Sequence, residues 1–251
     1  MESVNMGISC ITFDLDETLW ETRPALEKAE QALQRWIVHT LPDRTDLHRL
    51  ADLQAHRQNF YTTIPEIVHD LTQARISWLA SLLAEDGRDP KEANALAREG
   101  FGVFAEWRSR LVPFAGVQQT LATLIDRYRV VAITNGNADV RRVGIDHLFD
   151  IVITPAEAGA AKPDAAIFRY ALDRIGVRAS EAVHVGDDPV CDIVGAAALG
   201  MRTIWMNPTG IAWSDPSASK EHSPIAPDAE IRTLPEIIER IEGWQAAQDP
   251  A

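Results

Sequence analysis

Two aspartates that directly follow an apolar run are the residues of this chain best suited to chemistry. Residues 8–13 predict a buried strand, and Asp14 and Asp16 come immediately after it. In an extended chain, side chains two residues apart point to the same side. Two carboxylates so close repel each other unless a cation lies between them. The spacing therefore predicts a Mg²⁺ site at the end of a strand, with two solvated aspartates in a turn as the alternative.

Two further segments could hold a phosphate. Thr134, Asn135 and Gly136 follow a second apolar run, and a hydroxyl beside a glycine-assisted turn of backbone amides can bind phosphate oxygens. An ordinary Asn-Gly turn is the alternative. Lys162 stands just before a proline that suits the first turn of a helix, so its ammonium would be presented at a helix start. A lysine in that place is otherwise a solvated surface charge.

A second acidic group follows another apolar run. Asp187, Asp188 and Asp192 lie in the segment that Gly186 begins, directly after Val183-His184-Val185. Without a metal, such a cluster at a strand end would repel itself. These aspartates are therefore further candidate metal ligands.

An alternation of strands and helices would position all four segments. It predicts an α/β fold, a Rossmann-like doubly wound parallel sheet, whose ligands bind at the carboxyl ends of the strands. The expected strands are residues 8–13, 129–134, 151–154, 182–185 and 203–206. The expected helices are residues 117–127, 165–175, 190–198 and 235–246.

Residues 20–113 have a different pattern, with helical spacing and no convincing strand. Pro24 suits a first helical turn, Thr63-Ile64-Pro65-Glu66 has the form of a capping box, and Asp89-Pro90 predicts another helix start. We therefore expect a Rossmann-like catalytic core of residues 1–19 and 114–251, and an inserted helical domain of residues 20–113.

Composition limits the possible partners. The formal net charge of −13, from 37 acidic and 24 basic residues, disfavours nucleic acid and anionic membranes as partners. The chain has two cysteines, which we expect to be free thiols in a reducing compartment. No apolar stretch approaches the roughly 18 residues that span a bilayer, and no signal segment is recognisable. The expected location is the cytoplasm.

Together the segments supply a metal site, carboxylates, a hydroxyl and a lysine, which is an inventory that suits phosphoryl transfer. With Asp14-x-Asp16-x-Thr18, Thr134, Lys162 and the Gly186-Asp187…Asp192 run, the chain resembles the haloacid dehalogenase superfamily. The form Lys162-Pro163-Asp164-x-x-Ile167-Phe168 and the helical insertion resemble its subfamily with a type-one helical cap.

The resemblance implies a role for each matching residue. It makes Asp14 the nucleophile, Asp16 the general acid and then the base for water, and Thr134 and Lys162 the holders of the phosphoryl oxygens. It implies that Mg²⁺ binds Asp14, the backbone carbonyl of Asp16 and Asp187. Asp192 would lie next to the metal ligands without binding the metal directly, and Asp188 could bind the metal together with Asp187 or in its place. Asn135 and Gly136 are expected to contact the substrate.

The helical insertion suggests a substrate class. Residues 66–72, 107–110 and 134–138 resemble those of phosphatases of riboflavin synthesis, which act on 5-amino-6-(5-phospho-D-ribitylamino)uracil and on flavin mononucleotide. This implies a small phosphorylated metabolite as partner, with Arg75, Trp107 and Arg108 as substrate-binding candidates. A phosphatase of another metabolite, such as phosphoglycolate or a sugar phosphate, is the alternative.

Three other functions are also compatible with parts of this pattern. Haloacid dehalogenases use the same nucleophile on carbon but lack the second aspartate, so Asp16 favours a phosphatase. Phospho-accepting receiver modules carry acidic residues with a Thr–Lys pair, but they are about half this length and have no inserted domain. A degenerate protein that only binds its ligand is disfavoured, because every catalytic residue type is present.

Overall fold

The computed structural model describes residues 7–67, 69–216 and 225–248. The chain divides into two compact units. The core unit takes its described residues from Met1–Glu21, Pro113–Asn135 and Ile145–Ala251. The helical unit consists of Thr22–Val112, without Val68, and Gly136–Gly144.

A six-stranded parallel sheet forms the centre of the core unit, so the predicted α/β, Rossmann-like fold class is confirmed. Its strands are β1 (Cys10–Phe13), β2 (Arg129–Ile133), β3 (Ile151–Ile153), β4 (Ala182–Gly186), β5 (Arg202–Met206) and β6 (Ala229–Ile231). The strand order is β3-β2-β1-β4-β5-β6. The order changes direction at β1, and open sheets of this kind bind ligands at such a switch point.

The helices follow the same chain order. They are α1 (Arg23–Thr40), α2 (Leu50–Tyr61), α3 (Leu71–Glu85), α4 (Pro90–Arg108), α5 (Val117–Ile125), α6 (Val140–Val143), α7 (Pro155–Ala158), α8 (Ala165–Ile175), α9 (Gly195–Ala198) and α10 (Glu236–Gln248). In the part of the chain that the structure describes, none of the helices combines the length and the apolar composition that a bilayer-spanning segment needs.

Strand β1 is completely buried because it lies between β2 and β4 and has no solvated face. Its last residue, Phe13, is in register with Ala132 on one side and Val185 on the other. Asp14 therefore leaves the sheet in the middle of its carboxyl edge. Apolar side chains of α8, including Ile167 and Phe168, pack in one cluster with residues of β2.

The helical unit has its own apolar core, in which α1, α3 and α4 contribute residues such as Leu33, Trp78 and Phe104. The predicted helix starts at Pro24 and at Asp89-Pro90 agree with α1 and α4. The Asp89 side chain accepts hydrogen bonds from the first backbone amides of α4.

The predicted capping box at Thr63 is wrong. The Thr63 hydroxyl donates to the carbonyl of Phe60 in the turn after α2, and α3 begins only at Leu71. Asp70 is the actual cap, since its carboxylate accepts from the backbone N–H of Gln73. Helix α2, which carries a weak apolar periodicity, was not expected.

Other elements also differ from the sequence prediction. Residues 190–198 do not form one α-helix but a short π-helical segment, Pro189–Val194, followed by α9. Strand β6 was not expected. The expected boundaries of the helical domain differ from those of the helical unit, which excludes residues 20, 21 and 113 and includes Gly136–Gly144. This last segment is joined to it by a hydrogen bond from Asp139 N to Ser109 Oγ of 3.1 Å.

Candidate active site

Asp14 and Lys162 form a buried ion pair at the carboxyl edge of the sheet. Asp14 follows β1 and is held by a hydrogen bond from its backbone N–H to the carbonyl of Val185 of 2.8 Å. Lys162 Nζ lies 2.6 Å from Asp14 Oδ1 and 2.6 Å from Asp192 Oδ1. The Lys162 side chain is only 2% exposed. The structure thus brings together three residues that are far apart in the sequence.

The backbone of Lys162 is fixed by Asn135. Lys162 N donates to Asn135 Oδ1, and Asn135 Nδ2 donates to the carbonyl of Lys162, each over 2.8 Å. The side chain of Asn135 therefore has a defined task within the core unit, and its expected contact with substrate stays a prediction. Thr134 is buried at the end of β2, where its backbone N–H donates to the carbonyl of Ile153. Gly136 begins the segment that belongs to the helical unit.

Asp16 lies in a tight turn that follows the nucleophile candidate. Glu17 adopts a φ of 60°, a left-handed conformation that is uncommon for a non-glycine residue, and its N–H donates to the carbonyl of Trp20. The indole Nε1–H of Trp20 donates to Asp16 Oδ1 over 2.9 Å. Trp20 is fully buried, and its contact with Asp16 was not predicted from the sequence. The closeness of the two residues in the sequence was the one signal that could have indicated it.

The acidic segment after β4 brings two aspartates to Asp14. Carboxylate oxygens of Asp14, Asp187 and Asp192 all lie within 4.8 Å of one another. Asp188 is not part of this group, because its Oδ1 accepts from the backbone amides of Val190 and Cys191 and caps the π-helical segment. The neighbouring aspartates Asp187 and Asp188 therefore have different surroundings, and their roles as metal ligands stay predictions.

Neighbouring residues orient this acidic group. Thr18 Oγ1 donates to Asp187 Oδ1 over 3.1 Å, and Trp205 Nε1 donates to the carbonyl of Asp187 over 2.8 Å. Gly186 is required by close packing, since a Cβ on this residue would collide with the Asp192 carboxylate. Small size at this position thus lets the carboxylate lie directly against the end of β4.

Burial and charge set the ionisation of the group. Burial raises the pKa of Asp14 well above its ordinary value, against the opposing effect of Lys162. Burial, together with the charge of Asp192, raises the pKa of Asp187 to about 7. Burial would also raise the pKa of Asp192, but Lys162 and a hydrogen bond from His184 hold it below its ordinary range. Burial would lower the pKa of Lys162, but the Asp14 and Asp192 carboxylates raise it.

The group fits a divalent cation. The group has three carboxyl groups and one lysine, Lys162, which contacts Asp14 and Asp192, so the ionised cluster has an excess of negative charge. A cation near Asp14 and Asp187 would lower the pKa of both and keep them ionised. Carboxylate and carbonyl oxygens are the donors that Mg²⁺ prefers.

The three substrate-binding candidates Arg75, Trp107 and Arg108 lie in the helical unit. Arg75 is buried, donates to Glu30 Oε1 over 3.0 Å and places its guanidinium carbon 3.7 Å from the ring centre of Phe104. Trp107 is half-buried, with the Arg110 guanidinium over its ring. Arg108 is buried at the end of α4. Their substrate-binding roles stay predictions, as does that of residues 66–72, in which Val68 lies outside the described residues.

Comparison with known protein families identifies the family of this chain. Residues 8–200 match the haloacid dehalogenase-like hydrolase family. The chain belongs to the haloacid dehalogenase-like hydrolases. The family prediction is thereby confirmed.

Individual relatives of this family share most of the chain. It is 34% identical to the 5-amino-6-(5-phospho-D-ribitylamino)uracil phosphatase YigB of Escherichia coli, over 80% of this chain and 84% of that protein. It is 30% identical to the glyceraldehyde 3-phosphate phosphatase of Methanopyrus kandleri, over 78% of this chain and 83% of that protein. These relatives bear out the predicted enzyme class, a phosphatase of the family.

A solved structure carries a different name. The 2-haloacid dehalogenase from Pseudomonas syringae pv. Tomato superposes with a TM-score of 0.85 and 40% identity, over 94% of this chain and 99% of that one. Both names belong to one hydrolase family, in which the residues of the site determine whether the reaction takes place at phosphorus or at carbon.

Proposed function

We propose that this hydrolase cleaves phosphate monoesters in a Mg²⁺-dependent reaction that passes through an aspartyl-phosphate on Asp14. The observation that carries the proposal is the buried Asp14 carboxylate, which lies 2.6 Å from Lys162 Nζ and within 4.8 Å of ligand atoms of Asp187 and Asp192. Such a site combines a nucleophile with positive charge for a phosphoryl group.

Asp14, the backbone carbonyl of Asp16 and Asp187 would hold the metal. When bound, Mg²⁺ neutralises charge on the phosphoryl oxygens during transfer. Thr18 and Trp205 orient Asp187, and Lys162 keeps Asp192 beside the group through a 2.6 Å hydrogen bond.

The proposed reaction has two steps. A carboxylate oxygen of Asp14 attacks phosphorus, the bond from phosphorus to the ester oxygen breaks, and Asp16 gives its proton to the departing alcohol. Water next attacks phosphorus and gives a proton to the Asp16 carboxylate, which releases inorganic phosphate and restores Asp14. Lys162 and Thr134 hold the phosphoryl oxygens in both steps.

Asp16 distinguishes this reaction from dehalogenation. A departing halide needs no proton, whereas a departing alkoxide does. The Asp16 carboxylate is held in one orientation by the buried Trp20 indole, which suits proton transfer to the leaving group of a phosphate ester.

One experiment separates the phosphatase from the dehalogenase reaction. It measures phosphate release from p-nitrophenyl phosphate and halide release from 2-chloropropionate, each with and without Mg²⁺. Halide release without phosphate release would reject the proposal, and release of neither would favour a binding-only protein or a receiver module.

The proposed substrate is a phosphorylated ribityl or flavin compound. Two observations support it: the resemblance in residues 66–72 and 107–110, and the 34% identity to the Escherichia coli phosphatase of ribitylaminouracil phosphate. The relative that acts on glyceraldehyde 3-phosphate supports a smaller metabolite instead. Values of kcat/KM for flavin mononucleotide, phosphoglycolate and a hexose phosphate decide between them. Preference for either of the latter two would reject the riboflavin-pathway substrate and leave the phosphatase reaction intact.

We also propose a cytoplasmic enzyme that binds neither nucleic acid nor membranes. This rests on the net charge of −13 and on Cys10 and Cys191, both of which are free thiols. Fractionation of the native host and a nucleic-acid binding assay would test it.

A further inference from the structure

A chain of buried hydrogen bonds leads from the sheet to the nucleophile. Thr12 Oγ1 lies 2.7 Å from His184 Nδ1, and His184 Nε2 lies 3.1 Å from Asp192 Oδ1. The same oxygen of Asp192 lies 2.6 Å from Lys162 Nζ, which contacts Asp14. His184 and Asp192 are completely buried. The proposed reaction gives no task to His184 or Thr12.

The bonding partners determine where the ring proton lies. An ionised carboxylate only accepts hydrogen bonds, so His184 Nε2 must carry the proton toward Asp192. In a neutral imidazole the other nitrogen then accepts, and the Thr12 hydroxyl donates to Nδ1. The alternative acceptor of this hydroxyl, the carbonyl of Val183, is farther away at 3.3 Å. Thr12 thereby fixes the tautomer of His184.

His184 in turn fixes the carboxylate of Asp192. Oδ1 of Asp192 accepts from His184 and Lys162, and Oδ2 accepts from the backbone N–H of Asp188 over 2.9 Å. Three donors therefore hold this carboxylate. Without the imidazole N–H, Oδ1 would keep only the lysine, and the carboxylate could turn with it. The position of the Lys162 ammonium beside Asp14 depends on that orientation.

His184 cannot itself touch the substrate. It lies within β4, is fully buried, and packs edge-on against Phe168 at a ring-centre distance of 5.0 Å. Any effect on the reaction must pass through Asp192. A core histidine that only satisfies its own hydrogen bonds is the structural alternative.

We propose that His184, oriented by Thr12, is a positioning residue that holds Asp192 and thereby places Lys162 on the phosphoryl group during hydrolysis. This rests on the proposed phosphatase function. It predicts that loss of the imidazole N–H impairs turnover and phosphate binding in molecules that are correctly folded.

The test compares four variants with the wild-type enzyme. His184→Leu removes both hydrogen bonds, and His184→Gln keeps an amide N–H donor and a carbonyl acceptor. Thr12→Val removes only the hydroxyl. His56→Leu is the matched control, because His56 of the helical unit also has a ring nitrogen, Nδ1, that accepts from a tryptophan, Trp78, over 3.0 Å. The measurements are kcat and KM for p-nitrophenyl phosphate, the inhibition constant of inorganic phosphate and the folded fraction by circular dichroism.

Per folded molecule, His184→Leu should lower kcat about tenfold, the equivalent of one hydrogen bond to a charged group, and raise the inhibition constant of phosphate. His184→Gln should recover most of both, and Thr12→Val should lower kcat about threefold. His56→Leu should change the folded fraction alone. If His184→Leu does not fold, kcat and the inhibition constant of phosphate are compared between the wild-type enzyme and the His184→Gln and Thr12→Val variants.

A purely structural role predicts a different pattern. Unchanged kcat and phosphate inhibition per folded molecule in His184→Leu, or in Thr12→Val when the former does not fold, would overturn the proposal. Equal impairment of His184→Gln and His184→Leu would also overturn it. An inactive wild-type enzyme would instead reject the phosphatase function itself.

Discussion

The indole N–H of Trp20 donates a hydrogen bond to the carboxylate of Asp16 over 2.9 Å, within one tight turn of the core unit. The turn is closed by a second hydrogen bond, from Glu17 N to the carbonyl of Trp20 over 2.9 Å. A fully buried indole thus fixes the direction of the carboxylate that the proposed reaction uses as acid and base.

Trp20→Phe should impair the acid role of Asp16, because it removes the N–H donor and keeps an aromatic ring in the core. The value of kcat/KM reports the first chemical step, in which only a poor leaving group needs a proton. We expect about a tenfold loss for a sugar phosphate and a smaller loss for p-nitrophenyl phosphate. Trp244→Phe in α10 is the control and should affect neither. Equal losses on both substrates would count against the assignment.

Asp187 and Asp188 should differ in their effect on metal dependence. Asp187→Asn should raise the Mg²⁺ concentration for half-maximal activity roughly tenfold or more, because it removes a charge from the carboxylate group around Asp14. Asp188→Asn keeps an oxygen acceptor for the backbone amides of Val190 and Cys191, so it should change that concentration less than about twofold. Mg²⁺ titrations of both variants make the comparison. The reverse order would show that Asp188 is the direct ligand.

Glu30 should stabilise the helical unit in a pH-dependent way. It accepts hydrogen bonds from Arg57 and Arg75, and although burial would raise the pKa of Glu30, the two arginines lower it below the ordinary 4.5. A lowered pKa gives stability that is present above pH 4.5 and lost as the pH falls through the folded-state pKa.

Glu30→Gln should therefore cost about 3 kcal/mol in the free energy of unfolding at neutral pH, since it leaves two arginines without a buried counter-charge. The difference should shrink as the pH falls below 4.5 and vanish below the lowered folded-state pKa of Glu30, where the wild-type carboxyl group is protonated. Urea unfolding at a series of pH values from neutral downward measures it. Glu106→Gln, which breaks an exposed pair with Arg110, should cost less than about 0.5 kcal/mol throughout that series. A cost for Glu30→Gln that does not change with pH would contradict the assignment.

Gly186→Ala tests the close packing of Asp192. The added Cβ would collide with the Asp192 carboxylate, so we expect a loss of about 2 kcal/mol in stability, together with weaker phosphate hydrolysis. Gly243→Ala adds a Cβ in α10, where no atom lies within 4 Å, and should be neutral or slightly stabilising. Similar behaviour of the two variants in thermal unfolding would show that the contact at Gly186 is relieved without strain.

The sequence predicted those parts of the fold and site that depend on local pattern. Apolar runs located five of the strands, and motif residues located Asp14, Lys162 and the acidic segment. Helix α2 was not predicted because its apolar residues do not recur at helical spacing. The predicted capping box at Thr63 was wrong because Asp70, which lies next to the apolar residues of α3, caps that helix instead. Strand β6 was missed because Ala229-Glu230-Ile231 is not an apolar run, whereas β3, of the same length, is.

Contacts between distant residues could not be predicted from local pattern. Thr12 and His184 are 172 positions apart and meet only because β1 and β4 are neighbours in register. In the sequence, His184 is one polar residue in an apolar strand. Its partner on the other side, Asp192, reaches it only because Gly186 leaves room for the carboxylate.

Phosphate release by Asp14→Asn tests the central claim most directly. The amide keeps the shape of the carboxylate but removes the nucleophile, so turnover of p-nitrophenyl phosphate at saturating Mg²⁺ should fall by at least about a thousandfold while the circular dichroism spectrum is retained. Phosphate release at the wild-type rate by this folded variant would contradict the account.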